Sequence, residues 1–97
     1  MRLFKKEVDY YLYNYPEVKK SGKTDDQKWA RIIEQIKAKY EGTPYGELIR
    51  LKYDMKLKEI EICQLLHVER PTYYAWTNKI NNEVTLKAAY ERLIIPF

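Results

Sequence analysis

The predicted fold class is all-α: a small helical domain of about five helices, with residues 1–97 as a single domain. Three observations predict it. Apolar residues recur at spacings of three and four along most of the chain, and no stretch sustains the period-two alternation of a half-buried strand. Proline and short polar residues fall where the periodic segments begin and end. A chain of 97 residues suits one modest core and no large enzyme pocket.

The elements follow in order. Phe4, Val8, Tyr11, Leu12 and Tyr15 lie on one face of a first amphipathic helix. Pro16 is expected to end it, because proline lacks the amide hydrogen and disfavours helical geometry in the residue before it. Lys19, Lys20, Ser21, Gly22 and Lys23 read as a polar connector. Thr24 and Gln27 have capping-box spacing, and Asp25 and Asp26 place negative charge where a helix dipole favours it. Trp29, Ile32, Ile33, Ile36 and Tyr40 form the apolar stripe of that second helix, with Gly42 as its stop. Thr43 and Pro44 read as an N-cap followed by proline in the first turn. Tyr45, Leu48, Ile49 and Lys52-Tyr53 supply the inner side of a third helix, which Gly46 weakens. These N-terminal helices occupy residues 1–55. From Leu57 to Leu93 the pattern predicts two or three further helices and one short turn.

The most informative segment runs from Glu59 to Trp76, where spacing meets the demands of a helix-turn-helix. Ile62 and Leu66, four apart, point inward from the first helix of the pair. Cys63 provides the small side chain where two helices approach closely. Val68 plugs the turn from inside, and Tyr73 and Trp76 form the buried ridge of the second helix. Pro71 falls in that helix's first turn, where its missing amide costs nothing. Two positions depart from the ideal. His67 stands where a positive φ favours glycine, and Glu69 stands where serine or threonine would cap the second helix. Residues 56–97 therefore read as the helix-turn-helix followed by a C-terminal helix.

Composition excludes several functions. One cysteine forms no intramolecular disulfide, and one cysteine with one histidine cannot alone build a zinc site. No apolar run approaches the roughly 20 residues that span a bilayer, and Met1 to Glu7 lacks the apolar region of a secretory signal. No membrane association is expected. Eighteen basic against fourteen acidic side chains leave a net charge of +4. The excess is concentrated in residues 1–24, with six basic and three acidic side chains; residues 56–97 hold six and five.

The remaining reactive residues have ordinary readings. Cys63 reads as core rather than nucleophile, and His67 as a turn residue without metal partners. The Asp25-Asp26 and Glu59-Glu61 pairs read as dipole complements at helix starts. The ten tyrosines divide between core and surface, since neighbours in a helix cannot share one face. No catalytic residue, metal ligand or cofactor is expected, and the chain does not read as an enzyme.

The run from Leu57 through Ile62-Cys63, Leu66-His67-Val68 and Arg70-Pro71-Thr72-Tyr73-Tyr74-Ala75-Trp76 to Lys79-Ile80 resembles the helix-turn-helix of sigma-factor region 4. Within that group it is most similar to small phage transcriptional regulators of the ArpU, RinA and LtrC type. The opening Val8 to Pro16 and Tyr53, just ahead of the motif, are similar to the corresponding parts of those regulators.

The resemblance implies a DNA-binding transcriptional regulator, an activator of phage late genes, in the cytoplasm of a bacterial host. Its partner would be double-stranded promoter DNA, with host RNA polymerase or another phage protein beside it. A homodimer is one oligomeric form, although no heptad run marks a dimer seam. A helix from Arg70 to about Ile80 would enter the major groove. Arg70 is suited to guanine, Asn78 to adenine, and Tyr74 to a thymine methyl or a phosphate, with Thr77 also on the outward side. Thr72, Lys79 and Lys58 would anchor phosphates. Arg2, Lys5, Lys6, Lys19, Lys20 and Lys23 extend the electrostatic footprint if the first helix lies beside the duplex. The alternative is a protein-interaction module that binds RNA polymerase or another phage regulator without reading DNA.

Overall fold

The computed structural model describes residues 4–94, and among them there are helices and turns but no strands. Six α-helices follow in order: α1 (Lys5–Tyr13), α2 (Tyr15–Lys20), α3 (Thr24–Tyr40), α4 (Pro44–Ile49), α5 (Glu59–Leu66) and α6 (Arg70–Tyr90). A π-helical turn, Arg50–Asp54, continues α4.

Helices α3 and α6 are the two long members, and the short ones pack around them. One core joins all of them. Val8 and Leu12 of α1, Ile33 and Ile36 of α3, Leu48 of α4, Ile62 of α5, and Ile80, Val84 and Ala88 of α6 are essentially inaccessible. Tyr11 stacks on Trp29 with ring centroids 4.2 Å apart, joining α1 to α3. Burial of such side chains at about 1.5–3 kcal/mol each is what holds these short helices in place, since helices of six to nine residues are marginal by themselves.

Three local expectations are corrected. Pro16 does not end the helical path: α1 stops at Tyr13, and Pro16 sits in the first turn of α2, where its fixed φ suits a helix start. The Thr24–Gln27 capping box does not form, because Lys23 is the N-cap. The Gln27 amide instead donates to the Lys19 carbonyl at 3.1 Å and to the Ser21 carbonyl, closing the connector onto α3. No separate C-terminal helix follows among the described residues, since the helix that begins at Arg70 runs unbroken for 21 residues.

Elsewhere local chemistry accounts for the ends. Gly42 takes φ +78 just after α3. The Thr43 hydroxyl accepts from the Gly46 amide at 3.2 Å, capping α4. Gly46 lies directly against the Tyr40 carbonyl, where a Cβ would collide with backbone. Its role is therefore close approach of α4 to the end of α3, which offsets its poor helix propensity.

Candidate nucleic-acid interface

The α5–turn–α6 unit is built from its turn outward. At the start of α5, the Glu61 carboxylate accepts from the Lys58 amide at 3.1 Å. At its end His67 adopts the left-handed conformation, φ 56 and ψ 44. The Val68 amide then donates to the Cys63 carbonyl at 3.1 Å, and the His67 amide donates to the Gln64 carbonyl at 3.4 Å. This paired reversal is a Schellman closure, which satisfies carbonyls that a helix end otherwise leaves open. Glu69 is extended at the N-cap of α6 without a side-chain bond, and Pro71 occupies the first turn.

The interior of the unit is layered. Ile62 and Tyr73 are buried, while Cys63, Leu66, Val68 and Trp76 are half-buried against the core. Burial, then the Glu59 carboxylate, pushes the Cys63 thiol up. Trp76 lies against Tyr45 of α4, with ring centroids 5.1 Å apart. The Tyr73 hydroxyl accepts from Lys52 Nζ at 3.0 Å. Burial, then the Glu59 carboxylate, pushes the Tyr73 hydroxyl up to about 12.

The outer face of α6 carries most of the polar residues picked out above. Arg70 and Lys79 are exposed, Tyr74 is 45 % exposed, and Thr72 and Asn78 are half-buried. Lys58 is exposed at the start of α5. Thr77 is the exception and a correction. It is buried, and its hydroxyl donates to the Tyr74 carbonyl at 3.0 Å, so it is not displayed on the outward face. Asn81, one turn further on, is buried as well and donates to the Thr77 carbonyl at 3.1 Å.

The exposed residues divide between two flanks. Tyr74 and Asn78 border a cleft of about 280 Å³ that Tyr73 and Thr77 also line, with Lys5 of α1, Lys52 of the π-turn and Glu59 of α5 opposite. Arg70 stands beside it, with Nε 3.4 Å from Glu59 Oε2 and Nη2 donating to the Tyr74 hydroxyl at 3.4 Å. These two contacts, that of Tyr74 first, raise the Arg70 pKa further. Lys79 lies about 140° around the helix from Tyr74, by the helical repeat. Its Nζ is 3.9 Å from Glu83 Oε1 and 5.8 Å from the centre of the Tyr45 ring. The Glu83 carboxylate also accepts from Lys39 Nζ at 2.8 Å and from the Tyr40 hydroxyl.

No family model, curated protein or solved structure matches this chain.

Sequence reasoning missed two members of the Tyr74–Asn78 flank. Lys52 read only as part of a helix's inner side, and Glu59 only as a dipole complement. Their signal is tertiary, because the π-turn and the start of α5 are brought to α6 by packing and not by spacing. Among the described residues, no group of three or more His, Cys, Asp or Glu side chains converges on one point. No described helix is long and apolar enough to cross a membrane.

Proposed function

We propose that the chain is a sequence-specific DNA-binding regulator of transcription, with α5, the three-residue turn and α6 acting as a helix-turn-helix. The first half of α6 would lie in the major groove. The observation that carries this reading is the outward display of Arg70, Tyr74, Ala75 and Asn78 on a helix whose opposite side is locked into the core. A rigid helix with a guanidinium, a phenol, a methyl and an amide across its outward side suits the donor, acceptor and methyl pattern of the major groove. The left-handed His67 turn supports it, because it sets the angle at which α6 leaves α5. The resemblance to phage late regulators supplies the target class, phage late promoters, and the activating role.

A second reading has its own observation. Leu86 and Tyr90, four apart near the end of α6, are 62 % and 89 % exposed. Exposed apolar side chains at helical spacing favour a protein partner such as RNA polymerase or another phage protein.

Selection of duplexes from a randomised pool, followed by retardation assays at rising salt, separates the two. Groove reading yields an enriched sequence and a log-log salt slope of about −0.9 per phosphate contacted. An unenriched pool refutes it.

A further inference from the structure

We infer that the cleft between α1, the π-turn and α6 is a clamp for a DNA backbone phosphate, with the Lys5 and Lys52 ammonium groups as its ligands. The inference rests on the groove-reading proposal and names what holds the duplex beside the reading edge of α6. Base contacts specify a sequence, but phosphate contacts set register. A reading helix with no fixed cation at its side would lack that register. Lys79 lies on the far flank of α6, so the cations beside Tyr74 and Asn78 come from α1 and the π-turn.

Lys52 has the geometry of a prepared anion ligand. Its Nζ is held 3.0 Å from the Tyr73 hydroxyl and 5.2 Å and 5.5 Å from the Tyr73 and Tyr53 ring centres. Those contacts fix the side chain before any ligand arrives, so little rotamer freedom remains to be lost on binding. Among the described residues Lys52 forms no ion pair with a carboxylate. Its charge is therefore available to a phosphate.

Lys5 completes the pair from α1. It lines the same cleft as Lys52, Tyr74 and Asn78. Among the described residues its ion pair is the i,i+4 contact with Asp9 at 3.1 Å, in which the Lys5 side chain is 46 % exposed and that of Asp9 20 %. Asp9 is also 3.5 Å from the Tyr53 hydroxyl, so the exposed Lys5 ammonium can turn to a phosphate while Asp9 keeps a partner. A cleft of about 280 Å³ is roomy enough for a phosphate and too small for a base pair. Glu59 is the opposing charge: its Oε2 is 3.4 Å from Arg70 Nε, and its buried Oε1 has no hydrogen-bond partner among the described residues. Lys5, Lys52 and Arg70 outnumber Glu59 and Asp9, which leaves the edge of α6 locally positive.

The test compares wild type with Lys5→Ala, Lys52→Met and the double variant. Methionine keeps an apolar stem on the Tyr53 and Tyr73 rings. The probes are a duplex selected from the randomised pool and a scrambled duplex of equal length. Retention is measured between about 50 and 200 mM salt. The expected result is a log-log slope shallower by about one for each lysine removed, on the selected and the scrambled duplex alike. If wild type binds but the double variant keeps the full slope, the clamp is overturned and groove reading stands. If selectivity falls while the full slope remains, the lysines orient α6 without holding phosphate, which also overturns the clamp. If wild type retains no duplex, both proposals fall. Should Lys52→Met lower the thermal unfolding midpoint, the exposed Lys5→Ala carries the test alone, and an unchanged slope there overturns the clamp.

Discussion

Arg70 Nε lies 3.4 Å from Glu59 Oε2, tying the first residue of α6 to the first residue of α5. The Arg70 side chain is nevertheless 71 % exposed, so the tie directs it without burying it. Under the groove-reading proposal, an arginine steered by a carboxylate on one side and by the Tyr74 hydroxyl on the other would meet a guanine edge with its fork preoriented.

Arg70→Ala is therefore expected to lose about 1–3 kcal/mol of discrimination between selected and scrambled duplex. Lys79→Ala, on the far flank of α6, should weaken both duplexes by a similar factor. Competition binding with the two duplexes checks both. Equal behaviour of the two variants would place the reading edge elsewhere.

His67 sits at φ 56, where a Cβ crowds the following carbonyl. His67→Gly should raise stability by about 0.5–1 kcal/mol, the relief of that strain less the entropy glycine loses on folding. His67→Val should lower it, because a branched side chain fits the left-handed region worst. Urea midpoints of the three proteins decide the order.

Gly46→Ala should destabilise by about 1–3 kcal/mol, since the new methyl meets the Tyr40 carbonyl and the backbone has to move. Gly22 is the matched control. Nothing lies within 4 Å of a Cβ built there, so Gly22→Ala should leave stability unchanged within about 0.5 kcal/mol. A harmless Gly46→Ala would refute the close approach of α4 to α3.

Alkaline pH should unfold the domain. Burial, then the Asp9 carboxylate, lifts the Tyr53 hydroxyl well above the ordinary 10.0, and burial, then Glu59, lifts Tyr73 to about 12. Both groups hold their protons more tightly folded than unfolded. Their contribution is complete below pH 10.0 and declines as pH rises through about 12. In urea midpoints measured at successive pH values, Tyr73→Phe should show a flatter decline in that window than wild type. An unchanged slope would mean that Tyr73 is not held protonated by the fold.

The helices that carry strong apolar periodicity were legible in the sequence. Trp29, Ile32, Ile33, Ile36 and Tyr40 bury one side of α3, and Gly42 follows it at positive φ. Thr43 caps α4 through the Gly46 amide. Pro16 misled because the same residue suits a helix start and a helix stop, and only the packing of Val18 into the core selects the start. Thr24 misled because Gln27 found carbonyls in the connector that local spacing does not reveal.

The candidate site was legible along α6 and largely illegible around it. Arg70, Tyr74 and Asn78 follow from helical spacing once the inward side is known. Thr77 did not follow, because its methyl and hydroxyl allow either side, and its bond to the Tyr74 carbonyl accompanies its burial.

What the sequence by itself determined is the all-α class, the core stripe of α3, the cap of α4 and the left-handed turn at His67. Each depends on residues within a few positions of one another, where periodicity and backbone sterics act. Only the tertiary structure decided that Lys5, Lys52 and Glu59 meet at the edge of α6 and that Lys79 faces away from them. Those juxtapositions come from helices distant in sequence packing on one core. The burial that drives that packing is non-directional, so the sequence records how much apolar surface is hidden but not which charges are brought together beside it.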